Sequence, residues 1–227
     1  MHPSSPSLAS TDLIDSDHPS VRAFAHEHAL GTTDRERAVA LFMAVRDGFP
    51  YDPYRIELTV QGLCASSVLQ KGHGWCVTKA ALLTAACRAA GIPARVGYAD
   101  VRNHLSTERL RQTMQTNLFI WHGYSDIWLD DRWVKATPAF NIGLCERFGL
   151  LPLDFDGHAD SIYHPFDQAG QRHMEYVRQR GAFDDVPLQQ IMVDFAATYP
   201  GLVGSVAGPV AVEDAADFQA DAAKEAR

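Results

Sequence analysis

The stretch from Gly74 to Pro93, GWCVTKAALLTAACRAAGIP, constrains the rest of the chain more than any other. Alanine and leucine dominate it, and both are strong helix formers. Gly91 and then Pro93 supply the punctuation that ends a helix. Its apolar residues run nearly all the way round, so the helix needs to be enclosed on every side. Such a helix is expected to be buried. With 227 residues, 46% of them hydrophobic, the chain has the material for such a core.

Upstream, the pattern predicts helices over 18–30 and 33–48. Thr33 caps the second with Glu36 as its capping-box partner, and Leu41, Phe42 and Val45 recur at helical spacing until Gly48 stops it. FPYDPYRIE reads as an extended loop on its two prolines, 59–70 as a short helix and KGHG as a turn. Downstream, PARVGYADV reads as a strand and 104–116 as a polar helix or long loop. Two β-runs follow, joined by Asp130-Asp131 as a hairpin turn. A helix is expected around 168–181 and another from Leu188.

Residues 18–200 read as a single domain, flanked by flexible tails at 1–17 and 204–227. The first twenty residues carry Asp12, Asp15 and Asp17 and no base, and 212–227 carry five acids against Lys224 and Arg227. The net charge of -8 sits largely in these tails. An acidic chain with a nearly neutral middle is a poor match for a phosphate backbone, so nucleic acid is not an expected partner. No run of 18 apolar residues exists, so no membrane helix is expected. The start has neither a basic segment nor an apolar run of signal length, which points to a cytoplasmic protein without disulfides.

The chemistry centres on Cys76, at the first turn of the buried helix. Unpaired N–H groups and the helix dipole both favour an anion there, which is expected to lower the thiol pKa and could steady an oxyanion. A thiolate nucleophile needs a base, and His122 is the best candidate. With Asp130-Asp131 as a two-residue turn, Leu129 faces Arg132 and Tyr124 faces Thr137. Side chains alternate along a strand, so His122, Tyr124, Asp126 and Trp128 share one face with Thr137. His122 and Thr137 are then diagonal neighbours, about 7–8 Å apart. Asp126 lies roughly 13 Å from His122 along the strand, too far to orient its ring.

GWCVTKAALLTAACRAAGIPARVG, followed by WHGYSDIWLDDRWVKATPAFN, resembles the core of the transglutaminase-like superfamily. The resemblance covers about residues 35–141. It implies an α+β, papain-like fold in which N-terminal helices precede a buried helix that starts at the cysteine and packs on an antiparallel sheet. It also implies acyl transfer through a thioester, with Cys76 as nucleophile and His122 as general base and acid. Asp126 matches the family's strand Glu. Where the family has the third, acidic member of its triad, this chain has Thr137, which can accept an N–H bond but brings no charge. Asn141 is the other candidate to hold His122. The expected substrate is a peptide, a protein or a small amide, cleaved by hydrolysis. The alternative is a catalytically impaired module that binds a peptide or protein.

No cofactor and no metal is expected. The three other cysteines, Cys64, Cys87 and Cys145, make no CxxC pair and read as structural. DFDGHAD resembles a calcium loop only faintly, because its glycine comes at position 4 and no Glu stands at position 12. His158, His164, His173 and Glu175 leave open a third reading, a metal-dependent hydrolase, without the spacing of a helical zinc motif. Trp75 either shapes the site entrance or fills the core. Tyr51 and Tyr54 either offer a hydroxyl toward an oxyanion or simply pack.

Overall fold

A computed structural model describes residue 3 and residues 5–103, 106–162, 168–170, 174–200 and 217–225. Its centre is the expected helix, α5 (Cys76–Ala89), buried from Cys76 to Arg88. An enclosed helix must satisfy the polar side chains it carries inward. Lys79 Nζ donates to the carbonyl oxygens of Phe49 at 2.6 Å, Arg46 at 2.8 Å and Ala139 at 2.9 Å. Arg88 donates from Nε to Ala94 O at 2.9 Å, and from its two terminal nitrogens to Ala9 O and Asp184 O, each at 2.7 Å. These two side chains stitch five separate segments to the central helix.

The helical layer on one side comprises α1 (Pro19–His28), α2 (Asp34–Gly48), α3 (Val60–Leu63) and α4 (Ala65–Lys71). The Thr33–Glu36 capping box opens α2 as its sequence predicts. The single helix expected over 59–70 is two, broken at Cys64, whose extended backbone ends α3 and starts α4. On the other side lies an antiparallel sheet. It consists of β1 (Ala94–Asn103), β2 (Leu118–Leu129), β3 (Arg132–Ala136) and β4 (Met174–Phe183), in the order β3-β2-β1-β4. Leu129 faces Arg132 and Ser125 faces Ala136, the register expected from the sequence. Asp130 and Asp131 both take positive φ, 48° and 62°, as a twisted two-residue hairpin turn demands. The remaining described helices are α6 (Glu108–Met114), α7 (Ile142–Phe148), α8 (Leu188–Thr198), which packs on β2, and α9 (Phe218–Glu225), which packs on α7.

Three expectations are corrected. The helix expected around 168–181 is absent over 174–183, where the chain is β4; Met, Glu, Gln and Arg favour a helix there, but β1 has an open edge and the ladder with it decides the conformation. Residues 5–17 are not a loose tail: Leu13 and Ile14 are buried in the core, and Ile14 N bonds Asp185 Oδ1 at 3.2 Å. Within the acidic C-terminal segment, α9 buries Phe218 and Ala222; residues 204–216 lie outside the described residues.

Candidate active site

Two glycines bring the cysteine and the histidine together. Gly74 pairs with the loop before the helix, accepting from Asp52 N at 2.9 Å and donating to Pro50 O at 3.1 Å. A Cβ there would lie 2.8 Å from Thr78 Oγ1, the atom that accepts the Trp75 N–H at 3.0 Å at the helix start. Gly123, next to His122 on β2, lies against the first turn of α5. A Cβ on Gly123 would stand 2.8 Å from Cys76 O and 3.1 Å from Val77 Cα. The Cys76 sulfur faces the N–H groups of Gly123, Val77 and Cys76 itself. Cys76 and His122 line one cavity.

The electrostatics differ from the sequence expectation. Those N–H groups lower the Cys76 pKa, but burial is the larger effect and pushes it up to about 12. The thiol is therefore neutral in this structure rather than an exposed thiolate. Leu110 and Met114 of α6, Phe195 of α8 and Tyr199 just beyond it close over the cavity, leaving about 30 Å³ for a water-sized molecule. That holds about two waters and no substrate.

Thr137 is almost fully buried, and its Oγ1 makes no hydrogen bond, while its backbone N–H bonds Ser161 O at 3.0 Å. Asn141 Oδ1 accepts the Tyr51 N–H at 3.1 Å. Phe140 stands edge-on to the His122 ring, with centroids 6.4 Å apart. Asp126 pairs with Arg95 at 2.6 Å, away from the thiol. Tyr51 and Trp75 both line the cavity. Tyr54 does not; its hydroxyl bonds Thr107 Oγ1 at 2.6 Å and Asp221 at 3.2 Å.

Cys87 and Cys145 are buried, with pKa values pushed up to about 12 and about 11, and Cys64 Sγ bonds Val60 O at 2.9 Å. Among the described residues no group of three His, Cys, Asp or Glu side chains is placed to hold a metal. Asp156 instead accepts the N–H groups of His158 at 2.7 Å and Ala159 at 3.0 Å, as a loop carboxylate does. His164 and His173 lie outside the described residues. No described helix is long and apolar enough to cross a membrane.

A cysteine at the first turn of a buried helix, set against the strand that carries a histidine, defines a papain-like architecture. The profile of the transglutaminase-like superfamily matches residues 22–138, and the chain belongs to that superfamily. No curated protein matches the chain in sequence. Among solved structures it is similar to "a Putative Cysteine Protease from Cytophaga hutchinsonii", with 16% identity and a TM-score of 0.44. That alignment takes in 80% of this chain and 56% of the other, so this chain spans little more than half of that protein.

Sequence reasoning singled out Cys76 and His122, which line one cavity, but not Gly123 and Lys79. The HG dipeptide was a signal, since a glycine inside a strand marks a close backbone approach. Lys79 gave none, because a lysine in an apolar helix shows its partners only in the fold.

Proposed function

We propose that this protein is a cysteine-dependent acyl-transfer enzyme that hydrolyses an amide or peptide bond. The reading is carried by Cys76 and His122 lining one cavity, with backbone N–H groups gathered at the sulfur. Substrate entry displaces part of the cover. The Cys76 proton passes to His122, and the sulfur attacks the carbonyl carbon to form a C–S bond. Backbone N–H groups at the helix start face the resulting oxyanion. His122 then gives its proton to the leaving amine as the C–N bond breaks. Water, deprotonated by His122, cleaves the thioester to release the acid and restore the thiol.

Thr137 is the better candidate to orient His122. Its hydroxyl is buried and uncommitted, whereas the Asn141 side-chain oxygen is engaged by Tyr51. The mostly apolar cavity favours a substrate with an apolar group beside the scissile bond. The test is a panel of peptide amides with mass spectrometry of the protein. A Cys76-linked acyl adduct, lost in Cys76→Ala and formed far more slowly in His122→Ala, is expected; turnover that survives Cys76→Ala overturns the mechanism.

One set of observations favours a second reading, a peptide- or protein-binding module. The thiol is buried and neutral, and an uncharged residue stands at 137. It predicts tight peptide binding, with no acyl adduct at any pH.

A further inference from the structure

At one point the sheet departs from a regular ladder. Ala99 faces His122, but Val101 faces Phe119, so Ile120 and Trp121 together stand opposite the single Asp100. The ladder between β1 and β4 shifts at the same place, on both sides of the Ala99–Asp100 pair. Trp121 takes a φ of +58°, a left-handed conformation that a bulky side chain adopts only at a cost. A strained residue directly before His122 must be held there by something.

The holding groups are charged, and Asp100 at their centre is buried. Asp100 Oδ1 accepts the Trp121 backbone N–H at 3.0 Å and Arg180 Nε at 2.5 Å. Arg180 Nη1 reaches Asp194 at 2.5 Å, and the same carboxylate oxygen accepts the Trp121 indole N–H at 2.8 Å. The Arg180 guanidinium also lies over the Trp121 ring, 4.3 Å from its centroid. Backbone and side chain of Trp121 are thus clamped from β1, β4 and α8 together.

Removing one residue's offset from a strand turns every later side chain to the opposite face. Here Ile120 and His122 line the Cys76 cavity, while Trp121 lines the outer groove between β4 and α8. We infer that Asp100, braced by Arg180, is the positioning residue for His122: it fixes the bulge beside the histidine that leaves its ring lining the Cys76 cavity. This rests on the reading of His122 as the catalytic base, which gives the placement its use.

The test reads the placement directly. The His122 imidazole resonances are assigned by NMR from their loss in His122→Ala, and then followed in Asp100→Ala and Asp100→Asn. The Phe140 ring edge 6.4 Å away makes these resonances sensitive to ring position. Asp100→Ala is expected to move them while other histidines stay in place. Asp100→Asn keeps an oxygen for the Trp121 N–H and is expected to restore them in large part. Unchanged His122 resonances in a folded Asp100→Ala protein overturn the inference. Should that variant not fold, Asp100→Asn and Arg180→Gln carry the test, with a smaller shift expected in each; no shift in either overturns it. Acyl-adduct formation is measured in parallel on the unsubstituted protein and on His122→Ala. Equal adduct in those two refutes the catalytic reading, and the resonances still decide the placement.

Discussion

The backbone N–H of Gly123 faces the sulfur of Cys76, and a side chain at 123 would collide with the Cys76 carbonyl at 2.8 Å. Helix and strand backbones are in contact where the candidate nucleophile and base meet. Gly123→Ala must push β2 away from α5, because the obstructing atoms are backbone. Overpacking of this kind costs about 1–3 kcal/mol of stability. A displacement near 1 Å between reacting groups costs about 100-fold in rate. The expected outcome is a folded protein, by circular dichroism and a cooperative melt, whose acyl-adduct formation falls by that order.

Thr137 gives a sharper test, because its hydroxyl is buried without a hydrogen bond. An unmet buried polar group opposes folding, by about 1–3 kcal/mol for a full desolvation penalty. Thr137→Val removes the hydroxyl and nearly keeps the shape. Its unfolding midpoint in urea is expected to match or exceed that of the unsubstituted protein. If Thr137 orients His122, adduct formation falls all the same. A loss of stability instead would assign the hydroxyl a structural partner.

Lys79 ties pH to stability. Burial pushes its pKa down to about 7, from 10.5 in an unfolded chain. Between those values the unfolded chain holds a proton that the folded one has lost, so this residue's contribution to stability rises with pH across the window. It is fully present above about 10.5 and is lost as pH falls through about 7. Lys79→Met deletes that slope and leaves the carbonyls of Arg46, Phe49 and Ala139 without their donor. The measurement is urea unfolding at several pH values from 6 to 10, taken as about the span of the window. The difference between the two proteins is expected to widen as pH rises.

The parts of this architecture that depend on local pattern were legible. The α5 composition announced a buried helix, Thr33 and Glu36 announced a cap, and Asp130-Asp131 announced the hairpin register that sets Leu129 opposite Arg132 and Ser125 opposite Ala136. What could not be read depends on contacts distant in sequence. The segment at β4 favours a helix until β1 offers it an edge. The Trp121 bulge has no periodic signature, since its cause lies in Asp100, Arg180 and Asp194 on three other elements. The Cys76 pKa went the same way. Helix-start N–H groups are visible in sequence, but the residues that bury the thiol come from α6, α8 and beyond.

That burial leads to the last prediction. Phe218 of α9 stands edge-on to Tyr51 and Tyr54, with ring centroids 5.7 and 5.2 Å away. Gln219 bonds Tyr51 O at 3.0 Å, and Asp221 pairs with Arg109 of α6 at 2.9 Å. α9 thus holds both Tyr51 and α6, whose Leu110 and Met114 close the cavity over Cys76. With the thiol pKa near 12, iodoacetamide should label Cys76 slowly at pH values near neutrality. Phe218→Ala removes a buried ring, at about 3–5 kcal/mol if the helix is integral to the fold. Asp221→Asn loosens the same helix more gently. Both are expected to speed Cys76 labelling, read by peptide mapping against the buried Cys87 as an internal control. Faster labelling of both cysteines would signal general unfolding. Labelling unchanged in both variants would assign the cover to α8 alone, leaving Phe195 and Tyr199 as the groups that a substrate must displace.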